Sequence, residues 1–89
     1  MSSFDAGSTL TLARAKDALA SGLARIGAGA TAVDYAALTQ FDSAALAVLL
    51  AWRRAAYERN VTLDILNLPP KLDSLAQAYG VDALINERH

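Results

Sequence analysis

The stretch ATAVDYAALTQFDSAALAVLLAW, residues 30–52, contains a strand pattern, a connection and the start of a helix in succession. Residues 30–35 alternate larger and small side chains, as a short strand does. Residues 36–41 are typical of a loop. From Ser43 the chain continues without a charged residue until Arg53, which indicates a helix that shows water no polar face over its first turns.

The flanking segments repeat this alternation of strands and helices. The strand patterns lie at residues 9–12, 30–35 and 61–67, and the helix patterns at residues 14–26, 43–59 and 70–80. The order β-α-β-α-β-α predicts an α/β fold, with a mostly parallel sheet and helices packed mainly on one face. Residues 1–8 are predicted to be a frayed lead-in, and residues 81–89 a helical turn or a last strand segment.

Composition excludes several classes of protein. The 89 residues suit a single domain, and a formal net charge of −1 with no basic cluster larger than Arg53–Arg54 argues against nucleic-acid binding. No cysteine is present, so thiolate chemistry and disulfides are excluded. The amino terminus lacks a signal-peptide pattern, and the longest uncharged apolar run is far below the roughly 18 residues of a membrane span. We therefore expect a soluble cytosolic protein without direct membrane insertion.

Catalytic and metal-binding residues are not apparent. The one histidine, His89, is the last residue, so a nucleophilic triad would lack its base. The glycines of residues 26–30 end a helix, whereas a phosphate loop opens one. The carboxylates of Asp34, Asp42 and Asp64 are scattered along the chain, as solvated or capping groups are. The sequence therefore predicts a non-enzymatic protein with no metal and no cofactor.

The helix that begins near Ser43 has an unusual outer surface. At about 100° per residue, two arcs can be separated along it. The arc that can face the sheet contains Leu46, Leu49, Trp52, Arg53 and Ala56, and the opposite arc contains Ser43, Ala44, Ala47, Ala51 and Arg54, with Val48 and Ala55 at its margin. Alanine is the best helix former, which explains its abundance without any function. The alternative is a flat surface of small residues on which another protein docks.

Ser43 has two further interpretations. Either Asp42 or Ser43 could cap the helix, at about 1 kcal/mol. A helix N-terminus also stabilises anions, so a phosphate on Ser43 would be held there. It would add about −1.5 to −2 charges to an apolar surface, and Ser43 could thus act as cap, contact or switch.

The run AVDYAALTQFDSAAL, residues 32–46, resembles the central motif of STAS domains, the fold of anti-sigma-factor antagonists. In that motif a strand ends in aspartate, a loop follows, and Asp-Ser or Asp-Thr opens the second helix. Asp34, Asp42 and Ser43 match these three positions. The resemblance covers roughly residues 9–86, and within the family the chain looks most like MlaB-type subunits of phospholipid-transport ABC complexes.

This resemblance implies a partner and no reaction. An MlaB-like domain binds the ATPase subunit of the ABC complex, and through it the membrane permease indirectly, at the cytoplasmic side of the inner membrane. The implied contact includes Ser43. The expected partner-binding set adds Ala44, Ala47, Ala51 and Arg54 from the outer arc, and Gln40 from the loop before the helix. The alternative is an anti-sigma-factor antagonist that is phosphorylated at Ser43. Ala44 and Ala45 argue against this alternative, because the family motif usually has glycine at one of these positions.

Overall fold

The structure, a computed structural model, describes residues 2–86, with side chains as far as Leu84. His89 lies outside the described residues. The strands are β1 (Ser3–Asp5), β2 (Thr9–Leu10), β3 (Ala32–Asp34), β4 (Gln40–Phe41) and β5 (Asp64–Leu66). The helices are α1 (Leu12–Gly27), α2 (Ala44–Glu58), α3 (Pro70–Ala78) and α4 (Asp82–Asn86). The predicted α/β class is confirmed.

The strands form two small parallel sheets. In the larger sheet the order is β1-β3-β5, with Val33 of the central strand opposite Phe4 and Ile65. The smaller sheet pairs β2 with β4, with Leu10 opposite Phe41. β3 is covered on both faces, since Ala32 and Val33 are both fully buried. Parallel pairing follows because a helix separates the paired strands in the chain.

Two short strands add to the predicted order. Residues 3–5 form β1, where the sequence predicted a frayed lead-in, and Phe4 is buried there with its ring 5.2 Å from that of Trp52, edge to face. Residues 40–41 form β4 within the predicted loop. Strands of two or three residues are too short to show a period-2 pattern, and both exist because a distant segment pairs with them.

Trp52 determines how α1 packs on α2. Its side chain is buried, and the indole N–H donates to the backbone carbonyl of Leu19 at 3.3 Å. A Cβ atom at Gly22 would lie 2.2 Å from the indole ring. Gly22 lowers the intrinsic helix propensity of α1, but it leaves the space that the indole occupies.

The helices are too short to cross a bilayer. The longest, α1, has 16 residues, against about 20 apolar residues for a span. Within residues 2–86 no helix is long and apolar enough to cross a membrane.

Candidate docking surface at the start of the second helix

Asp42, and not Ser43, caps α2. The backbone of Ser43 is already helical, and its side chain makes no capping hydrogen bond. Oδ1 of Asp42 accepts the backbone N–H of Ala44 at 2.8 Å. A carboxylate at this position satisfies an unpaired N–H and lies near the positive end of the helix dipole. The fold therefore does not use the Ser43 hydroxyl as a cap, and this residue is exposed.

The same carboxylate also binds the first residue of α1. Oδ2 of Asp42 accepts the backbone N–H of Leu12 at 3.1 Å. Thr11, at the N-cap of α1, makes no capping bond with its own side chain. Asp42 thus joins the N-termini of two helices that begin side by side, as the neighbouring strands β2 and β4 require. The sequence did not predict this second contact.

The two faces of α2 are close to those predicted. On the inner face Leu46, Leu49, Trp52 and Ala56 are buried, whereas Arg53 is only half-buried. On the outer face Ser43, Ala47 and Arg54 are exposed, and Ala44, Ala51 and Ala55 are half-buried. Val48 differs from the prediction: it was placed at the margin of the outer arc and is 3% exposed. Val48 lies at the boundary of α2 with α1, where the two helices pack together.

A groove runs between α1 and the start of α2, with a volume of about 600 Å³. We call it the α1–α2 groove. It is lined by Leu12, Ala15, Lys16 and Leu19 from α1 and by Asp42, Ser43, Ala44, Ala47 and Val48. The side chain of Leu12 is 78% exposed. Ser43, Ala44 and Ala47 therefore share one surface with residues of α1.

The α1 side of this groove was missed by the sequence analysis. Leu12 was assigned to the end of a strand pattern, and Lys16 was not singled out. The available signal was the spacing of Leu12, Ala15, Leu19 and Leu23, which continues the helical pattern back by one turn. Leu23 is 39% exposed, so the core does not fully bury this row of apolar side chains.

Other predicted contact residues lie apart from the groove. Arg54 is exposed, pairs with Glu58 at 3.8 Å, and lines a separate hollow near Tyr57. It is eleven residues beyond Ser43, or about 16 Å along the helix. Gln40 is in β4, and its side-chain carbonyl accepts a long hydrogen bond, 3.5 Å, from the hydroxyl of Thr9. The predicted set is therefore an elongated surface with Ala51 between its ends.

Asp34 joins the ends of two strands. Its Oδ1 accepts the side-chain amide of Asn67 at 3.0 Å and the backbone N–H of Ala36 at 2.8 Å. The amide of Asn67, with a smaller contribution from Ala36, holds the pKa of Asp34 below its usual value. Asp34 therefore stabilises the turn after β3 and links it to the end of β5.

The acidic residues do not form a metal site within residues 2–86, where no group of three potential ligands is found. Asp34 and Asp42 both direct carboxylate oxygens at N–H donors. Asp64 lies in β5, opposite Ala32.

The structure contains the arrangement that the resemblance to STAS domains implies: a strand that ends in Asp34, a loop, and Asp42-Ser43 at the start of a helix beside parallel strands. The family model described as "Mlab, STAS domain" matches residues 5–86. The chain belongs to this MlaB-type STAS family. STAS domains are in general binding and regulatory domains without catalysis of their own. No curated protein and no solved structure gives a significant match.

Proposed function

We propose that this chain is a non-catalytic STAS subunit that binds the ATPase of a Mla-type phospholipid-transport ABC transporter and supports or regulates it. It acts as a single domain, docking through α2 and Ser43. The observation that carries the proposal is the exposed start of α2 in a chain of the MlaB-type family. At this position the Ser43 hydroxyl makes no capping hydrogen bond and lies next to uncharged alanine side chains.

The chemistry of this surface suits a protein partner. Alanine side chains allow the backbone of a partner helix to approach closely, and each apolar Å² buried contributes about 25 cal/mol. Ser43 provides one polar group that can donate or accept a hydrogen bond within the contact. A single well-placed polar contact in an apolar interface gives specificity more than affinity.

The proposal also assigns a location. The subunit is cytoplasmic and lies at the inner membrane only through its partner, which in turn contacts the permease. It contacts neither nucleic acid nor the bilayer directly. The net charge of −1 supports this, because binding to phosphates or anionic lipid depends on clustered cations.

Purification of the tagged full-length chain from its host, followed by mass spectrometry of what accompanies it, tests this function. We expect an ABC ATPase and its permease at stoichiometric levels. Recovery of a sigma-regulating kinase in their place, or of neither, would overturn the proposal.

A second function, an anti-sigma-factor antagonist, is favoured by one observation: the Ser43 hydroxyl is exposed and uncommitted to capping, so a kinase could reach it. Ala44 and Ala45 oppose this function, because they stand where the motif of the resembling family usually has glycine. Phosphoserine at 43 in protein isolated from cells, together with a kinase partner, would favour the second function over the first.

A further inference from the structure

The α1–α2 groove is mostly apolar, with one basic residue, Lys16, and one acidic residue, Asp42. Leu12, Ala15 and Leu19 line it from α1, and Ala44 and Ala47 line it from α2. Leu12, at 78% exposed, is the most exposed large apolar side chain among the described residues. Exposed apolar surface that continues into a groove is typical of an interaction site.

The two charged residues of this groove, Asp42 and Lys16, differ in their surroundings. Both oxygens of the Asp42 carboxylate accept backbone N–H groups, from Ala44 and Leu12. Lys16, by contrast, is exposed and forms no ion pair with any carboxylate in residues 2–86. The groove therefore offers a partner apolar surface and, at Lys16, one positive charge that no carboxylate of residues 2–86 pairs.

We propose that α1 forms half of the docking surface, and that its occupant is an amphipathic segment of the partner protein. This segment inserts large apolar side chains between Leu12 and Ala47 and places a carboxylate beside Lys16. The inference rests on the proposed function for the location of the surface and adds to it the chemistry of the partner. A second copy of this chain fits less well, because the carboxylate that its own groove presents, Asp42, already accepts two backbone N–H groups.

The affinity of α1 variants for the ATPase subunit tests the inference. Lys16→Glu is expected to weaken binding about tenfold or more, and Leu12→Ser to a similar extent. Arg14→Glu is the matched control, because Arg14 lies about 200° around the helix and lines a different hollow. Circular dichroism confirms that each variant stays folded. Equal affinity of the Lys16 and Arg14 variants would overturn the proposed partner chemistry.

A second experiment needs no ATPase. The labelled full-length chain is titrated with an amphipathic helical peptide of leucine and glutamate, and with its leucine–lysine counterpart. We expect the glutamate peptide to shift the amide signals of Leu12, Lys16 and Ala47 and to bind about tenfold more tightly. The net charge of −1 favours the lysine peptide non-specifically, so the expected preference cannot arise from overall charge.

The outcomes separate the two proposals. If α2 variants abolish ATPase binding and the α1 variants do not, the function stands and the groove inference falls. If the wild-type chain does not bind the ATPase, the proposed function is wrong, and the peptide titration alone tests whether the groove binds an acidic amphipathic segment. Equal binding of both peptides, or a homodimer that Leu12→Ser dissociates, would overturn the inference.

Discussion

The carboxylate of Asp42 accepts the backbone N–H of Leu12 at 3.1 Å, across 30 positions of the chain. Its other oxygen accepts the N–H of Ala44. One side chain therefore sets the relative position of the two helices that border the α1–α2 groove. Ser43, the neighbouring residue, is left available for a partner because Asp42 has taken the capping role.

Asp42→Ala should destabilise the fold more than loss of a single cap does. Each N-cap contributes about 1 kcal/mol, and two helices lose theirs at once, so we expect a loss of about 2 kcal/mol in the free energy of unfolding, measured by urea denaturation. Ser43→Ala is the control, with an expected change within about 0.5 kcal/mol, because its side chain caps nothing. A larger loss from Ser43→Ala than from Asp42→Ala would contradict the assignment.

Gly22→Ala should destabilise the protein although alanine favours helices. Propensity alone predicts a gain of about 1 kcal/mol, but the new methyl group would lie 2.2 Å from the Trp52 indole, and overpacking costs about 1–3 kcal/mol or more. Thermal unfolding followed by tryptophan fluorescence measures the net effect. Gly27→Ala, also in α1, meets nothing within 4 Å and should be neutral or stabilising; equal behaviour of the two variants would rule out the packing explanation.

Ala47→Asp and Ser43→Glu should leave the monomer folded and lower affinity for the ATPase subunit. Both positions are exposed in the free chain, whereas a charge added within an apolar interface costs several kcal/mol. A carboxylate at position 47 would also compete with the partner for Lys16, which lines the same groove. We expect at least a tenfold weakening by surface plasmon resonance. Ala78→Asp and Ser74→Glu make the same changes at exposed positions of α3 and should bind as wild type. If both α2 variants co-purify with the ATPase subunit as well as the wild type does, the start of α2 is not the docking surface.

Tyr35→Phe should be neutral or stabilising by about 1 kcal/mol at neutral pH. Tyr35 is buried, and its hydroxyl has no hydrogen-bond partner among the described residues. Burial raises the pKa of Tyr35, while an unfolded tyrosine titrates near about 10. Above that pH the unfolded chain binds fewer protons than the folded one, so stability falls as pH rises.

Urea unfolding of the wild type and of Tyr35→Phe between about pH 9 and pH 11 measures the contribution of Tyr35 ionisation to the loss of stability. The wild type should lose stability more steeply than Tyr35→Phe over this range. A variant that loses more than about 1 kcal/mol at neutral pH would show that the hydroxyl is hydrogen-bonded.

Much of the fold follows from local pattern. The helix after Ser43 and the inward position of Trp52 were predictable because side chains repeat every 3.6 residues on a helix. The strand that ends at Asp34 was predictable because it alternates over six residues. The exposed position of Ala47 follows from the same period, and its use as a contact stays a prediction.

Other features were hidden in the sequence because they depend on residues far apart. β1 and β4 have three and two residues, too few for a pattern, and they exist through pairing with distant strands. Gly22 has a packing role only because Trp52 lies opposite it. Leu12 and Lys16 belong to the groove only because α1 and α2 begin side by side.

The sequence by itself determined the α/β class, the family and the position of Ser43 at the start of α2, since hydrophobic period and short motifs are local properties of the chain. Tertiary structure alone decided that Asp42 caps both α1 and α2, which leaves Ser43 exposed, and that Leu12 and Lys16 face Ala47 across a groove. The contacts between α1 and α2 join residues 30 or more positions apart, and hydrogen-bond geometry between distant segments has no signature in a local pattern.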